Sequence, residues 1–323
     1  MNRTVLLTDH AWPDDSIERG LIEGAGLELV SGPAVPSSAA RIKDLVLEHQ
    51  PAAIMTCWAE VNAAAIDAAT DLKIVARLGV GLDNIDVVAA TAKGVWITNV
   101  PDYCVQEVSD HAVGFVLAWT RGLTTLDREV RSGQWNPAAA RLRRLSTLTC
   151  GIVGFGRIGR ATALRLAAFG CRIVAHDPYA PADVGQVEMM ELDQLMATSD
   201  VVIVHAPLTA STHHLIDRSR LAQMKAGGFL VNVSRGAVVD TDAVIEALRE
   251  GRLSGVGLDV LESEPDVPEA LRSHPGAMLT PHVAFSSDAS LVELRQRAAE
   301  EVIRVLSGKV PQHPCNRPST ASI

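Results

Sequence analysis

No run of 18 apolar residues occurs anywhere in this chain, so a transmembrane helix is not expected. The opening segment, MNRTVLLTDHAWPDD, holds too short an apolar stretch for a secretory signal. A soluble, cytoplasmic protein with no membrane partner is the expectation. Basic clusters are also scarce. Apart from RLRR at Arg141 to Arg144 no such run appears, and with a formal net charge of -9 and a pI near 5.6 the chain lacks the basic face that nucleic-acid phosphates require. The short basic run reads as a solvated face or a loop near a cofactor. The five cysteines, Cys57, Cys104, Cys150, Cys171 and Cys315, are odd in number and form no CxxC, which fits structural thiols in a reducing compartment. His213 and His214 are adjacent, a poor chelating geometry for one ion, and no HxxxH supports them, so no metal site is expected. Repeats and low-complexity tracts are missing too, except for a polar tail from Pro311 to Ile323 that reads as partly disordered.

At 323 residues the chain is long for one core, and a hydrophobic content of 47% suffices for two. Its most informative stretch is CGIVGFGRIGRATALRLAAFGCRIVAHD, Cys150 to Asp177, which reads as strand, glycine turn, helix and strand. Gly154, Gly156 and Gly159 form a GxGxxG that follows the apolar run 151–153 and opens a helical pattern through Ala163, Leu166, Ala167 and Phe169, closed by Gly170. The first glycine permits a tight turn, the second lets backbone approach a pyrophosphate, and the third lets the helix pack close on the strand. Asp177 lies 18 positions after Gly159, where an acid would bond a ribose diol and repel a 2′-phosphate. NAD is therefore expected over NADP. A plain glycine-rich βα turn is the bland alternative, and the strand, helix and acid in register argue against it.

Before this stretch, short apolar runs near 4–8, 27–30, 52–57, 73–78 and 95–99 alternate with helical patterns at 16–24, 39–49 and 62–70, so residues 1–99 form an α/β unit with a parallel sheet and no phosphate fingerprint. A helix begins near Val105, with Val108, Ala112, Phe115, Val116 and Trp119 on one apolar stripe, and an irregular excursion follows over 131–147. Beyond Asp177 strands are expected at 201–205, 229–233, 255–259 and 277–280, with a helix over 240–251. A long amphipathic helix over 290–308 buries Leu291, Leu294, Ala298, Val302 and Val305, with Ser290 and Glu293 as its capping box.

Three ionisable residues fall where strands give way to loops: Arg235 after FLVNVS, Glu264 in LDVLESEP and His282 in LTPHVAF. Ligands in such sheets bind at the carboxyl ends of strands, so the three can converge. An arginine fork holds a carboxylate and polarises a neighbouring carbonyl. A histidine exchanges a hydroxyl proton, and a glutamate bonded to it fixes the tautomer and stabilises the imidazolium. Singly, each has a bland reading as an ion pair or loop residue; together, downstream of a nucleotide site, they read as redox machinery.

These motifs resemble the D-isomer-specific 2-hydroxyacid dehydrogenases over nearly the whole length. GIVGFGRIGR with Asp177, MKAGGFLVNVSRGAVVD, GVGLDVLESEP and LTPHVAF stand in family order, and the family's Arg, Glu, His set maps onto Arg235, Glu264 and His282. RLGVGLDNID and NVPDYCVQEVSDHA are most similar to the branch of the C-terminal-binding proteins and their bacterial relatives. The resemblance implies two Rossmann-like parallel-sheet domains: an NAD-binding domain, 100–285, inserted into a discontinuous flavodoxin-like substrate domain, 1–99 plus 286–323. It implies a hinge near Asn99 and Val283 and a homodimer through the cofactor domains, with the helix after Pro101 and the excursion near Arg131 as contacts. It also implies Val153, Gly154, Phe155, Gly156, Arg157 and Ile158 under the pyrophosphate, Ala206, Pro207 and Thr212 along the cofactor, Val233 and Ser234 near the nicotinamide, and Asp259 on its carboxamide.

On the substrate side Arg77, Val80 and Gly81 match the carboxylate-binding turn. Cys57 replaces the histidine of the animal C-terminal-binding proteins, Trp58 lies beside it, and Phe285 replaces their tryptophan, leaving room for a modest apolar group on an anionic 2-oxo or 2-hydroxy acid. The activity implied is NAD-dependent interconversion of such a pair by hydride transfer. A reading of a different class, an NADH-responsive scaffold like the corepressors of that branch, is disfavoured by the lack of a long disordered tail.

Overall fold

The computed structural model describes residues 3–180, 184–185 and 187–318. Two compact units divide it: a first that ends at Tyr103 and resumes at Ser287, and a second from Cys104 to Ser286.

The first unit carries β1 (Thr4–Leu7), β2 (Glu28–Ser31), β3 (Ala53–Thr56), β4 (Ile74–Arg77) and β5 (Trp96–Thr98), all parallel, in the order β2-β1-β3-β4-β5. That is the flavodoxin-like order. The segments AIMT and IVAR are wholly buried, as expected of parallel strands covered by helices on both faces. Their helices start where short polar side chains cap them: Ser38 accepts from Arg41 N, Asn62 from Ala65 N and Asp86 from Ala89 N.

The final helix, Asp288–Leu306, belongs to this unit and packs on the helix Ser16–Gly24 and on β3 and β4. Its capping box is formed by Ser287 and Ser290, a turn earlier than the expected Ser290 and Glu293. Leu294, Ala298, Val302 and Val305 are buried as expected, whereas Leu291 is only half-buried. The same face also buries charge. Arg295 donates to both carboxylate oxygens of Glu18, at 2.9 and 2.6 Å, with its guanidinium 5.2 Å from the Trp12 ring. The tail is pinned over 311–318, contrary to the expectation of disorder: Cys315 N bonds Ile97 O, Asn316 Oδ1 accepts from Ile97 N, and Gln312 N bonds Glu301. Residues 319–323 of that tail lie outside the described residues.

The second unit holds β6 (Thr149–Val153), β7 (Arg172–His176), β8 (Glu188–Met189), β9 (Val201–Val204), β10 (Gly228–Asn232), β11 (Leu253–Leu258) and β12 (Ala277–Leu279), parallel in the order β12-β11-β10-β9-β6-β7-β8. Sheet order reverses about β6, the nucleotide strand, as in doubly wound dinucleotide folds. The helix Val105–Arg121 packs on β10 and β11 and buries Val108, Ala112, Phe115 and Val116. A second helix, Leu123–Arg131, follows directly after Gly122 (φ +61°); the sequence reading does not anticipate it, because no residue of it is buried. The excursion beyond it contains only 3-10 turns at Pro137–Ala139 and Leu145–Thr147. Phe169 lies past the end of the nucleotide helix, Arg157–Ala167, and is exposed, so the helical pattern ends earlier than its spacing predicts.

Candidate active site

In the second unit the glycine turn joins β6 to the helix Arg157–Ala167. Gly154 sits at φ +93°, and a Cβ there would lie 2.6 Å from the backbone nitrogen of Ala206; a Cβ on Gly159 would strike the carbonyl of Gly154. Both glycines are thus required by close backbone approach, leaving a cradle that fits a pyrophosphate. Gly156 caps the helix without a side chain, so no side-chain cap takes up the first-turn amides, as suits a helix start that receives an anion. Val153 and Phe155 are buried beneath the turn, with Arg157 and Ile158 opening the helix.

Asp177, at the end of β7, is braced by the backbone: Phe155 N donates to Oδ2 at 2.7 Å and Tyr179 N to Oδ1 at 2.8 Å. Across the turn, Thr212 closes the segment after β9, donating to Pro207 O at 2.6 Å and accepting from Thr209 N. His205, which the sequence reading passed over, lies beside the Gly154 turn with Nε2 2.9 Å from Thr162 Oγ1. Burial pushes its pKa down to about 3, so it places a neutral imidazole at the cradle. Its sequence signal is the HAPLT that directly follows the β9 run.

After β10, Asn232 organises the next loop. Its Oδ1 accepts from Ser234 N and Oγ, and its Nδ2 donates to Arg235 O at 2.9 Å, which sets Ser234 beside Val233 and turns Arg235 out of the strand. Asn232 is buried and is a second residue that the sequence reading missed.

Glu264 and His282 meet as expected. His282 Nδ1 lies 2.8 Å from Glu264 Oε2, and Glu264 Oε1 accepts from Leu261 N at 2.9 Å. Burial pushes the Glu264 carboxyl up, but the hydrogen bond and charge of His282, the Leu261 N–H and the charge of Arg235 outweigh it, so its pKa falls below the ordinary range. The carboxylate therefore stays ionised against Nδ1. Arg235 acts on the same carboxylate, which brings all three residues to one locality. Phe285 stands edge-on to the His282 ring, 6.4 Å between centroids. Asp259, buried at the end of β11, accepts from Thr280 Oγ1, Val283 N and Ala284 N.

The first unit has its own cluster at the carboxyl edge of its sheet. Asp9, fully buried, accepts from Cys57 N, Trp58 N and Ala59 N at 3.1, 2.7 and 3.2 Å, and from Thr8 Oγ1 at 2.7 Å. Burial pushes the Cys57 thiol up to about 12, against the opposing charge of nearby Arg77, so it is an inert packing group at neutral pH. Arg77 is buried and turned into its own loop. Its Nε donates to Gly81 O at 3.0 Å and its Nη1 to Leu78 O, and a Cβ on Gly79 would lie 2.7 Å from that Nη1. Arg77 thus braces the turn that carries Val80 and Gly81.

His213, His214 and Glu262 also come together, their ligand-type atoms within 4.8 Å. Glu262 Oε1 pairs with His214 Nε2 at 2.5 Å and Oε2 accepts from Thr241 N, while the two imidazoles stack at 4.1 Å. An ion pair accounts for this arrangement. No helix of the described residues is long and apolar enough to cross a membrane.

The family model for the D-isomer specific 2-hydroxyacid dehydrogenase, NAD binding domain, matches residues 113–284. The chain belongs to this family. A glyoxylate reductase from Thermococcus onnurineus is 41% identical over 277 residues, 82% of this chain and 83% of the relative. Among solved structures, an NADPH-dependent glyoxylate/hydroxypyruvate reductase from Sinorhizobium meliloti in complex with NADP and malonate is 32% identical, with TM-score 0.86 over 97% of each chain. D-Lactate dehydrogenase from Aquifex aeolicus, complexed with NAD and lactic acid, is 26% identical, with TM-score 0.88 over 98% of this chain and 100% of that one. As a member of this family the chain is a dehydrogenase with a nicotinamide-dinucleotide domain, and the glycine cradle and Asp177 lie within the matched residues.

Proposed function

We propose that this dehydrogenase reduces a small 2-oxo acid to the D-2-hydroxy acid with NADH, and runs the reverse reaction with NAD. The observation that carries this reading is the Glu264–His282 pair at 2.8 Å with the charge of Arg235 beside it. A dinucleotide held at the glycine cradle of Gly154, Gly156 and Gly159 would supply or accept the hydride at the substrate carbon. Arg235 holds the carboxylate and polarises the carbonyl. His282 delivers a proton from Nε2 to the carbonyl oxygen, and Glu264 on Nδ1 stabilises the imidazolium from which that proton comes. Asp259 is assigned to the carboxamide and Val233 and Ser234 to the nicotinamide ring.

In the same reading the first unit is the substrate domain, with Arg77, Val80, Gly81, Cys57 and Trp58 as its recognition groups, and Phe285 shapes the substrate side chain. The relatives named for glyoxylate and hydroxypyruvate make short 2-oxo acids the first substrates to try. Asp177 selects NAD, by accepting a ribose hydroxyl and repelling a 2′-phosphate. Self-association is assigned to the arm after Gly122, where Leu123, Val130 and Trp135 are exposed and Arg143 lies 4.2 Å over Trp119.

The test is NADH oxidation across glyoxylate, hydroxypyruvate, phenylpyruvate and branched or phosphonate-bearing 2-oxo acids, with His282→Ala and Arg235→Ala as controls. Both variants should lose about 10²–10⁴-fold in turnover and still bind NADH. Rates like the wild type in either would sink the assignment, and no turnover on any acid together with an NADH-dependent captured partner would replace it with a binding role.

A further inference from the structure

The loop that carries His282 is held from behind. Thr280 Oγ1 donates to Asp259 Oδ1 at 2.6 Å, Val283 N to the same oxygen at 2.9 Å and Ala284 N to Oδ2 at 2.9 Å, while Asp259 O accepts from His282 N at 2.8 Å. These bonds bracket His282 on both sides. The bracket matters because His282 sits at φ +53°, a left-handed conformation that non-glycine residues keep only when their surroundings enforce it.

The direction of the next bond follows from counting protons. A carboxylate offers only acceptors, so the single hydroxyl proton of Thr280 points to Asp259, and the Thr280 oxygen is left with lone pairs alone. His111 Nε2 lies 3.0 Å from that oxygen and must therefore be the donor. The imidazole of His111 thus carries its proton on Nε2. His111 projects from the helix Val105–Arg121, edge-on to Phe115 at 4.8 Å. Phe115 presses on β11 at Gly257, where a Cβ would lie 2.5 Å from the ring. A helix seated on the sheet thereby reaches the reactive loop through one imidazole.

We propose that His111 and Thr280 are positioning residues for His282: His111 Nε2–H holds the Thr280 oxygen, Thr280 holds Asp259, and Asp259 fixes the backbone on either side of His282, aiming its Nε2 at the substrate oxygen. The proposal rests on the acid–base reading of His282 given above. Neither residue touches substrate or cofactor in this scheme.

Side-chain nitrogen NMR on the NADH-bound protein reads the tautomer of His111 directly. A proton on Nε2 is expected; a neutral ring protonated on Nδ1 would overturn the relay whatever the activity. In parallel, His111→Ala and Thr280→Val should lower kcat on the best 2-oxo acid by about 10–100-fold, with the Kd for NADH within about twofold of wild type. Thr280→Ser keeps the hydroxyl and His111→Gln keeps an N–H donor, and each should recover most of the rate. A purely structural role predicts instead lower thermal stability with kcat unchanged, or equal losses in His111→Ala and His111→Gln; either result overturns the proposal. Should Thr280→Val fail to fold, the two His111 variants make the same comparison. If the wild type reduces no 2-oxo acid, the reading of the reaction fails, and a His282 ring signal unmoved in His111→Ala then overturns the relay separately.

Discussion

The two units solve one problem with the same device and to different ends. In each, an aspartate just past the end of a strand is buried and turned toward a neighbouring loop. Asp9, after β1, accepts from the amides of Cys57, Trp58 and Ala59; Asp259, after β11, accepts from those of Val283 and Ala284. A charge-assisted bond to a buried carboxylate is strong because no water competes for it. Asp9 is completed by its neighbour Thr8, so its network closes within the first unit, on the loop at Cys57, Trp58 and Ala59. Asp259 is completed by Thr280, which passes the link on to His111 and a helix. The loop proposed to recognise the substrate is simply held, whereas the loop bearing His282 is also tied to a distant element. The glycine turns differ in a parallel way: at Gly79 the space is taken by a side chain, Arg77, and at Gly154 by backbone.

The largest effect should come from removing the closed network. Asp9→Ala leaves three buried amides without their acceptor and should destabilise the protein by on the order of 3 kcal/mol or more in urea unfolding; a loss below about 1 kcal/mol would break the parallel between the two aspartates. Next come the glycines. Gly154→Ala combines φ +93° with an immovable backbone neighbour and should cost about 2–3 kcal/mol, read as weakened NADH binding in a fluorescence titration. Gly79→Ala, at φ +156°, meets a side-chain guanidinium rather than backbone, so a smaller loss of about 1–2 kcal/mol is expected there, and equal losses would erase the distinction. A smaller change should follow Asp177→Ala. One charge-assisted bond to a ribose hydroxyl corresponds to about tenfold in NADH affinity, while NADPH should bind no worse.

The smallest effect concerns pH. Hydrogen bonding to Glu262 raises the His214 pKa above its ordinary 6.5. Its stabilisation is therefore fully present below about 6.5 and fades as pH rises through the raised folded value. Glu262 runs the other way. Burial raises its pKa, but Thr241 and His214 together bring it below the ordinary 4.5, so its contribution is lost as pH falls through the lowered value. Because the pair is partly exposed, His214→Gln should lower stability by under about 1 kcal/mol, most near pH 5 to 6. The first unit's counterpart, Glu18 with Arg295, is buried and doubly bonded rather than partly exposed. Thermal melts of the variant from pH 5 to 9 measure the contrast.

Much of this was legible along the chain because it is local. The helices 16–24 and 39–49 were read from the sequence with the bounds they have in the structure, since periodicity and capping residues act within a few positions. Arg235, Glu264 and His282 were nominated by their places after strands, and the structure brings Glu264 and His282 into contact. The helix Leu123–Arg131 escaped because it buries no residue, so no apolar stripe announces it. The final helix was read as starting late because Ser287 and Ser290 share the serine signal of a cap, and only the hydrogen bonds choose between them. The part Arg77 plays in bracing its turn was not legible, because only the fold brings the carbonyls of Leu78 and Gly81 onto its guanidinium.

From Cys150 to Asp177 the sequence by itself determined a turn, a helix and an acid suited to a dinucleotide, because glycine's backbone freedom and the strand–helix pattern are properties of neighbouring residues. Only the tertiary structure decided what stands behind the chemistry. His205 at the cradle and His111 reaching Thr280 across 169 positions depend on which strands and helices become neighbours. Spacing along the chain cannot encode such bonds, since each is made only when both partners have been carried to the same edge of the sheet.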